Sequence, residues 1–221
     1  SGELVDDLKT IYRWDCKWEV VSNIVDTAFF AYHKRLPLTP RRPLRLCCIA
    51  NFVVGKGYDV MFEAVRKYLD TTGDRVEIVV AGRFTDSDRA RRLVENLGLE
   101  DVVKLRGEVD KHEVLRILHE SDCMLLATRK ESQGLALLEA MATGMPVITT
   151  DSVPECVRIE GGCITVPTDD SSAMARAIAL IRREGLNDCP QASRRVAETT
   201  SPQVIGKQLD GLFLDIVKGR K

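Results

Sequence analysis

Along this chain, short apolar runs rich in β-branched residues alternate with longer runs whose apolar side chains recur at i, i+3, i+4 and i+7. That alternation leaves few architectures open. The strand candidates are Leu44–Phe52, Val76–Ala81, Val102–Leu105, Cys123–Ala127, Pro146–Thr150 and Cys163–Val166. The periodicity predicts helices over Asp59–Leu69, Ser87–Leu97, His112–His119, Leu135–Thr143 and Ser171–Arg183, with another running from the Ser201-Pro202 start signal through about Val217. A strand–helix repeat of this kind builds βαβ units. The predicted fold class is therefore α/β, a Rossmann-like doubly wound parallel sheet between about residues 44 and 187.

Two flanks lie outside that unit. Residues 1–43 end in the Pro- and Arg-rich stretch Arg35 to Pro43, predicted to be an extended linker and entry segment because each proline biases its predecessor out of the helical region. Residues 188–221 carry Val204, Ile205, Leu209, Leu212, Phe213, Ile216 and Val217, an apolar helical stripe that needs a surface to pack on.

Composition narrows the function. The chain has 221 residues, is 44% hydrophobic, and balances 32 Lys+Arg against 33 Asp+Glu, so a disordered region is excluded and nucleic acid is not expected as a partner. No apolar run approaches the roughly 20 residues that span a bilayer. Seven cysteines, Cys16, Cys47, Cys48, Cys123, Cys156, Cys163 and Cys189, are scattered with no CxxC pair. Cys47, Cys48, Cys123 and Cys163 sit in apolar runs, so reduced, buried thiols and a cytoplasmic protein are expected. The N-terminus lacks the basic-then-apolar order of a secretory signal.

In open α/β sheets ligands bind beyond the carboxyl ends of the strands, so the segments that follow them are the candidate site. The most informative runs from Glu131 to Pro146: a polar loop, Gly134 opening a helix, and Gly144-Met145-Pro146 closing it. Free N–H groups at Gly134, Leu135 and Ala136, reinforced by the helix dipole, suit an anion such as a diphosphate. Glu131 precedes that helix and Glu139 lies within it, eight residues on, so the two carboxylates can reach opposite ends of one ligand. Spacing alone is equally that of two surface glutamates. After the first strand, Gly55-Lys56-Gly57 permits close backbone approach and offers a cation, although no Ser or Thr follows Lys56 to complete a Walker pattern. Arg83 follows Gly82 after the second strand and reads either as a phosphate partner or as a surface arginine. Gly107 follows the third strand, ahead of Glu108 and Val109.

Taken in order, these segments resemble the group 1 glycosyltransferases, which have the GT-B fold and transfer sugars with retention. The resemblance covers roughly residues 15–185 and rests on five stretches: Val20 to Thr27, Lys56-Gly57 with its helix, Val79 to Gly82, Val103 to Val109, and Glu131 to Pro146 with Val153-Pro154-Glu155. Glu131 and Glu139 match the family's E-x7-E motif.

That resemblance implies a nucleotide-sugar donor and no metal or other cofactor. It implies that Glu131 faces the transferred sugar, that Ser132, Gln133 and Gly134 contact it through their backbone, and that Leu135 and Ala136 donate to the diphosphate. It further implies that Glu139 binds the ribose diol, that Lys56 neutralises the leaving diphosphate, and that the chain around Gly107 to Val109 holds the base through backbone groups. One departure is Asn51, where many relatives place an arginine that also grips the diphosphate. The exchange forfeits on the order of 1 kcal/mol or more, which Arg83 can offset.

The resemblance further implies the C-terminal half of a GT-B enzyme: the N-terminal acceptor-binding domain is missing, residues 188–221 are return helices, and the fragment alone is expected to bind donor without efficient transfer. It leaves peripheral membrane association of the full-length enzyme open. A non-catalytic nucleotide-binding scaffold, and an epimerase-like enzyme on the same scaffold, remain alternatives. The second would need acid and base residues in the cleft, where His33, His112 and His119 are poorly placed.

Overall fold

The computed structural model of the protein describes residues 2–12 and 19–218, so Cys16 and part of the predicted entry segment lie outside the described residues. The elements run α1 (Gly2–Tyr12), β1 (Leu44–Ile49), α2 (Tyr58–Thr72), β2 (Val76–Ala81), α3 (Asp88–Asn96), β3 (Val103–Leu105), α4 (Lys111–Glu120), β4 (Cys123–Leu126), α5 (Leu135–Ala142), β5 (Val147–Thr150), β6 (Cys163–Val166), α6 (Ser171–Glu184), α7 (Pro190–Thr200) and α8 (Pro202–Val217). The predicted alternation is present. β1 stops before the predicted Phe52 because the chain turns out of the sheet and Phe52 lies against Tyr58, ring centroids 4.8 Å apart. The sequence signalled no element at α1.

Local chemistry explains the helix boundaries. Ser87, Asp110 and Asp170 each accept an N–H from three residues on, capping α3, α4 and α6, while Pro190 and Pro202 occupy the first turns of α7 and α8.

The strands form one parallel sheet in the order β3-β2-β1-β4-β5-β6, with Leu46 beside Cys123 and Cys47 beside Met124 at the central junction. Every residue of β4 and β5 is buried, as expected of strands covered by helices on both faces. The order reverses direction between β1 and β4. That switch point opens a crevice at the carboxyl ends of these two strands, where the loops after β1, β2, β3 and β4 converge.

The opposite edge of the sheet is held by the Pro- and Arg-rich stretch. Arg35 is only 6% exposed and donates to the carbonyls of Ser121, Leu118 and Thr143 and to the Thr143 hydroxyl. Buried Asp122 accepts both terminal nitrogens of Arg42 at 2.7 Å, the Arg45 N–H and the Asn187 amide. An extended segment without regular structure thus crosses the amino ends of β1 and β4 as a strap.

Cys47, Cys48 and Cys123 are buried as expected, whereas Cys163 is only partly covered, on the outermost strand; all six described cysteines are unpaired. In α8, Ile205 is buried while Phe213, Leu214, Ile216 and Val217 stay exposed, so most of its stripe finds no packing surface among the described residues. No helix among the described residues is long and apolar enough to cross a membrane.

Candidate functional site

A three-residue helical turn, Val54–Lys56, follows β1 and hands the chain to α2 through Gly57. This turn lifts the Lys56 ammonium over the crevice, where it meets the Glu131 carboxylate from the loop after β4 at 2.5 Å. Both partners are largely sheltered, at 25% and 12% side-chain exposure. The other Glu131 oxygen accepts the Ser132 N–H. A cation and a carboxylate from loops 75 residues apart therefore share one point at the switch between β1 and β4.

Gly134 caps the amino end of α5 with φ 69°, ψ 52°, a left-handed conformation that lets the polar loop turn directly into the helix. The first internal bonds belong to Leu137 and Leu138, both donating to the Gly134 carbonyl. Among the described residues, the N–H groups of Gly134, Leu135 and Ala136 find no acceptor. They point a helix dipole and unpaired donors at the crevice.

One cavity of about 400 Å³ gathers most of the predicted residues: Asn51, Lys56, Arg83, Val109, Glu131, Gly134, Leu135 and Ala136 line it, together with Glu108. Gly107, Ser132, Gln133 and Glu139 lie outside that lining. Asn51 spends its carboxamide oxygen on the Arg83 N–H at 3.0 Å, fixing the loop after β2. The Arg83 guanidinium pairs with Glu108 across the mouth at 2.9 Å, both groups well exposed. Gly107 already donates to the Thr85 hydroxyl and accepts from Gly82, so its backbone shapes the wall and leaves Glu108 and Val109 as the free rim. The Gln133 side chain accepts the Asn23 N–H, which draws the entry segment beside the start of α5.

Glu139 sits on the fifth residue of α5, roughly 6 Å down the helix axis from Leu135. It is half-buried, and among the described residues no group hydrogen-bonds to its carboxylate. Burial pushes its carboxyl up to about 7, with the Lys111 charge opposing the shift. Lys111 is itself held by Asp26 at 3.0 Å and lies over the Phe29 ring.

A carboxyl raised by the fold carries a cost absent below its unfolded value near 4.3 and fully present once the pH passes about 7. Glu139→Gln should therefore stabilise the protein at pH 8, by roughly 1–2 kcal/mol after discounting for solvent access, and change little at pH 4.5. Urea unfolding of both proteins at the two pH values measures it. A stability difference independent of pH would show that the carboxyl is not buried in its charged form.

Sequence reasoning overlooked Arg129. It stands two residues before Glu131 and pairs with Asp59 and Asp169. No glycine or helix start marks it, and both partners are distant in sequence. His33, His112 and His119 do not line the cavity; His33 and His119 stack on each other with centroids 4.3 Å apart.

Comparison with known proteins gives the chain's family and fold. A family model described as glycosyl transferases group 1 matches residues 33–198. The chain is 36% identical over 178 residues to an N-acetyl-alpha-D-glucosaminyl L-malate synthase of Bacillus anthracis, covering 78% of this chain and 46% of the relative. It spans about half the length of the curated relatives it matches. Its fold matches a glycosyltransferase from Rickettsia africae ESF-5 with a TM-score of 0.83 at 19% identity, over 99% of this chain and 62% of that one. It also matches Anabaena Alr3699/HepE, solved in complex with UDP-glucose, with a TM-score of 0.75 at 15% identity, over 89% and 57% of the two chains.

Proposed function

The chain belongs to the group 1 glycosyl transferases, and from that membership we propose that it is the donor-binding, C-terminal half of a retaining enzyme that moves a hexose-type sugar from a nucleotide diphosphate to an acceptor hydroxyl. The observation that carries the reading is the convergence of Lys56, Glu131 and the unpaired N–H groups of α5 on one cavity. An ammonium has three donors, so Lys56 can keep Glu131 and still meet a phosphate oxygen. As the bond from the sugar to the diphosphate breaks, charge builds on the leaving oxygens, where Lys56 and the preset helix end stabilise it without reorganising. Glu131, oriented by Lys56 and the Ser132 N–H, faces the sugar.

Glu139 completes the donor site. A half-buried carboxylate with no hydrogen-bond partner among the described residues destabilises the fold, and such groups concentrate where a ligand uses them. As an acceptor-only group it suits a ribose diol. The rim at Glu108 and Val109 takes the base, and Arg83 supplies a second cation at the mouth. Acceptor-side groups belong to the remainder of the enzyme, so this chain binds donor and transfers little alone.

Calorimetric titration with UDP, GDP and ADP tests the reading. One of the three should bind, and Lys56→Ala and Glu139→Ala should each weaken it about tenfold or more through loss of a charge-assisted contact. Unchanged affinity in both variants would overturn the site.

A further inference from the structure

Arg129 lies outside the lining of the donor cavity, and its backbone N–H and guanidinium bond to the turn after β1, to α2 and to the loop after β6. Its backbone N–H donates to the Gly55 carbonyl at 2.7 Å. Its guanidinium donates to the Val54 carbonyl at 2.8 Å, to the two Asp59 oxygens at 3.1 and 2.7 Å, and to Asp169 at 2.7 Å. One side chain thus joins the turn that carries Lys56, the first turn of α2 and the loop after β6. Asp169 meets it from left-handed backbone, φ 60°, uncommon outside glycine. The neighbouring Thr128 hydroxyl also donates to the Gly55 carbonyl, at 3.1 Å.

From this geometry we infer that Arg129 is a positioning residue of the diphosphate site: it clamps the turn of Lys56 to the loop of Glu131 and so sets how those two side chains meet. The inference rests on the donor-site reading above. A guanidinium fits the task because its planar fork satisfies one carboxylate with two donors and still reaches a carbonyl and a second carboxylate, which a lysine ammonium cannot do in one geometry. Asp59 and Asp169 are more than half exposed, so these ion pairs add little to overall stability, and their effect lies in placement.

The test combines Arg129→Met and Lys56→Met, singly and together, in the 221-residue chain. Each protein is titrated with UDP, GDP and ADP. Amide exchange is followed without nucleotide at Lys56 and Gly57, whose N–H groups donate to Val53 and Val54. Arg129→Met should weaken nucleotide binding roughly tenfold, as displaced catalytic groups do. That loss should vanish in the Lys56→Met background, because a positioning residue acts through the group it places. Exchange at Lys56 and Gly57 should quicken roughly tenfold while Ile78, in the sheet, is unchanged. Arg129→Lys keeps the charge but not the fork; it should show the same pattern and serves if the methionine variant does not fold. An equal loss in both backgrounds, or wild-type exchange at Lys56 and Gly57, overturns the inference. If the wild-type chain binds none of the three nucleotides, the donor-site reading fails, and the exchange measurement alone decides whether the clamp exists.

Discussion

Gly57→Ala is expected to cost at least about 3 kcal/mol of stability and to lower the thermal midpoint by roughly 6–12 °C. Gly57 has φ 63°, and a methyl group there would lie 1.9 Å from the Ala127 carbonyl oxygen at the end of β4. Two separate penalties add: the left-handed backbone disfavours any side chain, and the clash forces apart the loops after β1 and β4. Gly73, with φ 62° and open space where a methyl group would stand, isolates the first. Gly73→Ala should cost only about 1 kcal/mol. Thermal unfolding of both variants separates the terms, and equal losses would mean that the close approach at Ala127 relaxes freely. Because Gly57 directly follows Lys56, a variant that still folds should also lose the Lys56–Glu131 pair.

The second large effect lies on the other side of the sheet. Arg35→Met should destabilise the protein by on the order of 3 kcal/mol, since a side chain of similar reach replaces a buried guanidinium and leaves the Ser121 and Leu118 carbonyls without their donor. Arg41, in the same stretch, is a useful contrast, being exposed. Arg41→Met should fall within about 0.5 kcal/mol of wild type. Denaturant unfolding checks the pair, and a loss below about 1 kcal/mol for Arg35→Met would show that the strap lifts and lets water satisfy the carbonyls.

These two positions mark how far local pattern carries. Gly57 was legible: a glycine beside a lysine at a strand-to-helix turn announces close backbone approach. Arg35 was not. Its stretch reads as an extended linker from its prolines, and extended it is, but a buried arginine leaves no periodic signature, and its acceptors are the ends of α4 and α5 more than 80 residues away. The same holds in the crevice. Lys56, Glu131 and the start of α5 were each identifiable from glycine, charge and helix signals, whereas Arg129 bonds to Asp59 across 70 residues and has no motif to mark it. Asn51 read as a missing cation. In the fold its carboxamide holds the Arg83 loop, a role invisible without the neighbouring strand.

The sequence by itself determined the α/β alternation, the strands and helices of the sheet unit, the glycine turns and the residue types that gather at the strand ends, because periodicity, capping and turn chemistry act over a few residues. Only the tertiary structure decided which charges meet. Sheet order set Lys56 against Glu131, burial raised the Glu139 carboxyl, and the same packing brought Arg129 between two carboxylates. Contact and burial depend on residues far apart in the chain, and no local pattern encodes them.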